Sequence, residues 1–378
     1  MRLLVLYQAK TPSLDQPGYF DGFERMLADR QLTAHAAIGY LGGAGPSGWT
    51  TLWQETLRTA YEMNADAVFL QFFHAPMPDP TEWIQKIKKL PSRPLLFSSL
   101  GDAFGRWIRS VPRSFRVASA LSDVSFLTGM GHTARQLAAG GATNLVLMPN
   151  GCCQVRFSSE PELSDHESEF DVVFVGNRTS SRNLFSHVHW TARKRAQLVT
   201  AFTRRYGSRF ALFGKAWQGN PSWQGPVPYT EQVEIYRRSA VVLGGMPGGF
   251  NDYYTSDRAF IACASGVPFV DYWVKGVDLL LEPGRDWWLA RSIEEMLRLC
   301  DQLLEMPRND RLALGGATRR RILDHHTQYH RCVEMVEIAE QLRQARREGR
   351  RAAPPQLKFL RNPGPGCAPP DSIVAWRG

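Results

Sequence analysis

Short apolar runs alternate with helical spacing along the first half of the chain. Leu3–Tyr7, Thr33–Tyr40, Ala67–Phe73, Pro94–Ser98, Val124–Leu127 and Leu145–Met148 are brief apolar stretches and predict strands. Between them Gly18–Asp29, Trp49–Met63, Pro80–Leu90 and Thr133–Ala139 have the spacing of helices. Pro80 suits the first turn of its helix, where a missing N–H costs no hydrogen bond. Strands and helices in strict alternation predict a parallel, doubly wound sheet.

The rhythm breaks at Gly151–Glu169, a polar, acidic stretch containing Pro161 that reads as a linker. It then restarts, with strands predicted at Asp171–Val175, Phe210–Phe213, Ala240–Gly244 and Pro268–Asp271. Helices are predicted at Ala192–Tyr206, Thr230–Ser239 (capped by the Thr230 hydroxyl), Ser256–Ala264, Ser292–Glu305, Arg308–Asp324 and Tyr329 to about Arg347. From Ala352 the chain is rich in proline and reads as an extended tail. The plan is α/β: a Rossmann-like domain over 1–155, a second over 170–330, and a C-terminal helix with a Pro/Arg-rich tail over 331–378, the two domains facing a cleft. Such sheets bind ligands beyond the carboxyl ends of their strands, so the chemistry is sought in the loops that follow strands.

Composition narrows the class. Hydrophobic residues make up 43% and charged residues 21% of 378, a globular profile with room for two cores. No apolar run approaches the ~20 residues that cross a bilayer. The apolar start, Met1–Leu6, is short and lacks a small-residue cleavage site, so it reads as a first strand and places the chain in the cytoplasm. Six cysteines, none in a C-x-x-C pair, read as reduced buried thiols. The net charge of +9 points to an anionic partner. From Val172 to Thr230 there is no Asp or Glu, while Arg178, Arg182, Arg193, Lys194, Arg195, Arg204, Arg205, Arg209 and Lys215 all fall there. A second basic cluster runs from Arg343 to Arg351.

The strongest candidate site is Tyr253–Pro268, where a polar loop enters a helix at Ser256, small residues follow, and Gly266 ends it. Free N–H groups and the dipole at such a start attract anions, a diphosphate among them. The run Ser256-Asp257-Arg258-x-Phe260-x-Ala262-x-Ala264-x-Gly266-x-Pro268 resembles the donor-binding helix of GT-B glycosyltransferases, and most of all the CgeB-like, spore-maturation group. In the same order, Phe174-Val175-Gly176 with Arg178, Leu212-Phe213-Gly214-Lys215, Gly225–Tyr229, Tyr236–Ala240 and His326–Arg331 resemble further pieces of that group, as does Leu137–Pro149 upstream. The likeness covers Thr128 to Arg331 and implies a GT-B fold whose donor half includes Asp171–Phe269.

The resemblance also implies roles. Gly176 would let backbone approach a diphosphate, and Gly214 and Lys215 are further donor-binding candidates. Arg178 and Lys194, with Arg193 or Arg195, would neutralise the phosphates of the leaving nucleotide. Val227 would meet the base, and Ser256, Asp257 and Arg258 would hold phosphate or ribose. The group places a ribose-binding Glu after the helix Phe, but Ile261 stands here, so either Asp257 or Asp252 replaces it or the donor is held differently. The implied co-substrate is a nucleotide sugar, UDP-linked first of all, with no bound metal or other cofactor.

In the first domain His74 and Asp102 follow predicted strands, and either could deprotonate an acceptor hydroxyl in an inverting reaction; a retaining one needs no such base. Gly43-x-Gly45-x-x-Gly48 matches a dinucleotide fingerprint only formally, because it follows the second strand and contains Pro46. His187-Val188-His189-Trp190 lacks a carboxylate partner for a metal and reads as a loop over the donor cleft. A basic cleft suits an anionic acceptor: DNA with hydroxymethylated bases, a phospholipid-linked glycan or an anionic polysaccharide. The competing reading is a catalytically silent GT-B-like protein that binds a nucleotide sugar or a polyanion.

Overall fold

The computed structural model describes residues 1–43, 46–72, 77–102, 104, 111–159, 168–178, 187–245, 251–361 and 374–376. They pack into two units. Met1–Pro149, Gln328–Lys358 and the described residues 374–376 belong to the first, and Asn150–Thr327 with the residues 359–361 to the second.

In the first unit, β1 (Arg2–Tyr7), β2 (Ala34–Gly39), β3 (Ala67–Leu70), β4 (Leu95–Leu100), β5 (Val124–Leu127) and β6 (Leu145–Leu147) form a parallel sheet in the order β6-β5-β4-β3-β1-β2. The pair Val374–Ala375 adds antiparallel to β6. β3, β4 and β5 are buried along their whole length, which is why they read as unbroken apolar runs and not as alternating strands. The strand expected to reach Phe73 stops at Leu70, because Phe72 turns left-handed with φ 48°.

The second unit repeats the plan with β7 (Phe170–Val175), β8 (Phe210–Phe213), β9 (Trp223–Gly225), β10 (Ser239–Leu243), β11 (Phe269–Tyr272) and β12 (Trp288–Ala290), ordered β12-β11-β10-β7-β8-β9 and all parallel. Val172, Phe174, Leu212, Val241 and Val270 from this sheet meet Leu198, Phe202, Met296 and Cys300 from helices in one core.

Several local expectations change. Thr230 caps nothing: a 3-10 turn spans Tyr229–Glu231 and the helix starts at Gln232, with Glu231 at its N-cap. Pro80 stands at the N-cap and not inside the first turn. Within the expected linker Gln154–Phe157 forms a helical turn, anchored because Cys152 and Cys153 are buried and Cys152 N–H donates to His326 O at 2.8 Å. Five cysteines are free and buried, and Cys367 lies outside the described residues.

The helix Gln328–Arg347 belongs to the first unit, where it packs on the helix Pro17–Ala28. Gly22 permits the approach, since a Cβ there would lie 2.9 Å from Cys332 Sγ and 3.3 Å from Tyr329 Cα. The C-terminal basic cluster is partly consumed by ion pairs of this unit: Arg343 to Asp66 at 2.6 Å, Arg346 to Asp123 at 2.5 Å, and Arg350 to Glu348.

This helix carries a pH-dependent element. Glu334 is only 4% exposed and accepts Lys358 N–H at 2.7 Å, close to Arg331, Glu337 and Lys358. Burial pushes its pKa up to about 7 against an ordinary 4.5, outweighing the help from Lys358 N–H and Arg331. The folded state therefore holds a proton that the unfolded chain has lost, so stability falls as pH rises between those values, by about 3 kcal/mol. Thermal unfolding of the wild type and Glu334→Gln at pH 5 and pH 8 checks this: only the wild type should lose that increment. Equal losses in both proteins would assign the pH dependence elsewhere.

Candidate site at the switch point of the second sheet

The chain runs outward from β7 through β8 to β9, then jumps to the other side of β7 for β10. Right-handed crossovers before and after this reversal lie on opposite faces, and a crevice opens where the order reverses, beyond the carboxyl ends of β7 and β10. Gly176, Asn177 and Arg178 follow β7, and Gly244 and Gly245 follow β10. Both turns press on what lies beneath. A Cβ on Gly245 would stand 2.3 Å from the Phe174 ring, and one on Gly176 would stand 2.8 Å from Phe174 and 3.1 Å from Arg258 Nη1.

Arg195 joins the two lips. It is 8% exposed, with Nε donating to Gly245 O at 3.1 Å and Nη1 to Asn177 O at 3.0 Å. Burial first, and the charge of nearby Arg258 second, lower its pKa to about 10 against the opposing pull of Asp271 and Tyr254. Of the three consecutive cations Arg193, Lys194 and Arg195, only the last enters the crevice; Lys194, a helical step of about 100° away, is exposed.

The β7 turn leans the other way, toward β8. Arg178 N–H donates to Lys215 O at 3.0 Å, Asn177 Oδ1 accepts Lys215 N–H at 2.9 Å, and Trp217 Nε1 donates to Gly176 O at 2.7 Å. Gly214 sits at φ 133°, where a Cβ would lie 2.4 Å from Gly176 O, so glycine alone fits this crossing. The Arg178 guanidinium lies 5.7 Å from the Trp217 ring centre. The exposed Lys215 shares this side, and half-buried Val227 follows the edge strand β9, two strands from the switch point.

The helix Asp257–Ala264 starts at Ser256, whose backbone is extended and whose hydroxyl makes no capping bond. Asp257 takes part of that task, with Oδ1 accepting Arg258 N–H at 2.8 Å and Oδ2 accepting Tyr229 O–H at 3.3 Å. Half-buried Arg258 reaches back, with Nη1 3.4 Å from Val175 O. The structure thus brings Gly176, Arg195 and Arg258 together at the crevice. Ile261 is fully buried, and Asp252 pairs with Lys275 at 3.3 Å.

The acid-free span yields free cations. Arg205 pairs with Asp301 and Arg209 with Asp171, but Arg178, Arg193, Lys194, Arg204 and Lys215 have no carboxylate partner among the described residues. Among those residues no three His, Cys, Asp or Glu side chains come together to hold a metal ion, and no helix is long and apolar enough to cross a membrane.

In the first unit Asp102 is exposed just past β4, and His74 lies outside the described residues. Sequence reasoning missed Gln71, at this sheet's own reversal between β1 and β3. Its N–H donates to Leu6 O at 3.0 Å, yet both side-chain amide atoms are buried without a partner among the described residues. Next to it, strained Phe72 is held by Ser99 Oγ, which accepts its N–H, and by Tyr40 O–H, which donates to its carbonyl. Buried polar groups left unpaired are rare and call for an explanation.

Residues 193–337 match the family described as Glycosyl transferase-like. No curated protein sequence matches the chain. Among solved structures it is similar to Alr3699/HepE of Anabaena, crystallised with UDP, at 11% identity and a TM-score of 0.55 over 90% of this chain and 100% of that one. It is similar to the UDP-forming α,α-trehalose-phosphate synthase of Burkholderia vietnamiensis at 11% identity and a TM-score of 0.58, over 90% and 97%. It is also similar to a DNA-modifying β-glucosyltransferase studied with uridine diphosphoglucose, at 10% identity and a TM-score of 0.53, over 90% and 100%. The fold of the chain is GT-B.

Proposed function

We propose that the chain is a cytoplasmic glycosyltransferase, of the CgeB-like kind, that moves a sugar from a UDP-sugar to a hydroxyl on an anionic acceptor. The observation that carries this reading is the pairing of Arg258 with the Gly176 turn at the switch point of the second sheet. Gly176 leaves room for a diphosphate against backbone, and Arg258 is the cation within reach of it. Charge grows on the leaving UDP as the glycosidic bond breaks, so a fixed guanidinium there lowers the barrier more than it tightens ground-state binding. Arg195 holds the crevice open at a set width. Arg178 and Lys215 lie toward β8, where they serve the outer phosphate or the acceptor.

Of the two carboxylates that could take the place of the absent Glu, Asp257 is the better ribose partner, because it opens the helix next to Arg258, and a ribose hydroxyl there would replace Tyr229 O–H on its Oδ2. Asp102 is the acceptor base if the reaction inverts; retention leaves it without that task. The acceptor we favour is DNA carrying hydroxymethylated bases, supported by the unpaired cations and by the likeness to a DNA-modifying enzyme.

Incubating the chain with UDP-, GDP-, ADP- and TDP-sugars, with and without hydroxymethylated duplex DNA, tests the reading. UDP release that the modified duplex accelerates is the expected result. Binding of UDP-sugar without release in any mixture would favour a silent binding protein, the reading that Ile261 supports.

A further inference from the structure

A cavity of about 460 Å³ lies in the second unit beside the switch point, between the helix His187–Tyr206 and the loop after β8. Arg178, Thr200, Thr203, Arg204, Trp217 and Asn220 line it. Its polar wall is set in place: Thr203 Oγ1 and Asn220 lie 3.2 and 3.3 Å apart, and Asn220 Oδ1 also accepts Ser222 N–H at 2.9 Å. Arg178 and Arg204 have no carboxylate partner among the described residues, and the surrounding sequence supplies none.

The helix extends this charge beyond the cavity. At about 100° per residue, Arg193 and Arg204 fall on one face within about 20° of each other, separated by about 16 Å along the axis. Both are exposed, and Thr200 lies between them. A small anion needs one such group. Two guanidinium groups on one helix face, with Arg178 of the β7 turn lining the same cavity as Arg204, fit an elongated ligand with repeated negative charges, and the planar fork of arginine matches phosphate oxygens.

The cavity also lacks a stacking surface. Trp217 is only 4% exposed and its indole N–H is bonded to Gly176 O, so no base can lie on it. Single strands are held largely by such stacking, whereas a duplex is held by its phosphates.

We infer that this cavity and the Arg193–Arg204 face bind the phosphodiester backbone of a duplex nucleic acid, holding an acceptor without reading its sequence. The inference rests on the acceptor being anionic and not on the donor assignment.

The test is fluorescence anisotropy of a labelled, unmodified duplex of about 20 base pairs across a salt series, alongside calorimetry of UDP. Arg204→Glu should weaken duplex binding about tenfold and flatten the salt slope by about one phosphate contact, leaving UDP affinity as it was. Arg116→Glu, an equal charge change at an exposed position of the first unit, should leave duplex binding unchanged. No duplex binding by the wild type at low salt overturns the inference, as does an Arg204→Glu effect no larger than that of Arg116→Glu. Duplex binding that depends on Arg204 in a chain unable to bind UDP would uphold this surface and refute the donor site.

Discussion

Replacing Arg258 by alanine is expected to weaken UDP binding about 100-fold while leaving the second unit folded, a loss of about 2.7 kcal/mol. A hydrogen bond to a charged partner contributes about 1.5–3 kcal/mol, and a guanidinium that meets a diphosphate lies at the upper end of that range. In the free protein Arg258 is half-buried, and its carbonyl contact to Val175 is long at 3.4 Å, so the fold depends little on it. Calorimetry of UDP with both proteins, and thermal unfolding of each alone, separates the effects. An affinity within a factor of three of wild type would place the diphosphate away from Gly176. Lysine should restore only part of the loss, since an ammonium keeps the charge but not the two-pronged geometry.

Arg195→Met should have the largest effect on stability of any change at the crevice. The side chain is buried, and its removal strands the carbonyls of Gly245 and Asn177. Gly245 is buried, and a buried acceptor left unpaired costs about 1–3 kcal/mol, while the exposed Asn177 can offer its carbonyl to water, so a loss of about 1–3 kcal/mol is expected, together with weakened UDP binding as the lips of the crevice separate. Lysine cannot bond both carbonyls with the geometry of Nε and Nη1 and should fail nearly as badly. A chain of two units need not unfold in one step, so amide hydrogen exchange in β7 and β10 is the suitable readout. Unchanged protection in both strands would mean that Arg195 holds nothing together.

Much of this was legible in the residues because parallel strands covered on both faces must be apolar throughout. Phe210–Phe213 and Val124–Leu127 could hardly be read otherwise, and the glycines after β7 and β8 marked where backbone must pass closely. The role of Arg195 was available too: Arg195, Leu198, Val199 and Phe202 share one helical face, and the last three are plainly core residues. Composition alone treats Arg193, Lys194 and Arg195 as equals; the phase of the helix does not. Other features had no local signal. Nothing in Gln328–Arg347 states that it packs on Pro17–Ala28, because the match of Gly22 to Cys332 exists only once both helices are placed. β9 and β12 have three residues each, too few to show a period. Gln71 falls inside the apolar run Ala67–Phe73 with nothing local to mark it, and only the packing around it leaves its amide without partners among the described residues.

The crystal structure of the full chain with UDP tests the donor site most directly. The diphosphate should lie between the Gly176 turn and the start of the Asp257–Ala264 helix, with the Arg258 guanidinium on its oxygens. UDP bound anywhere else, with Arg258 still turned to Val175 O, would contradict it.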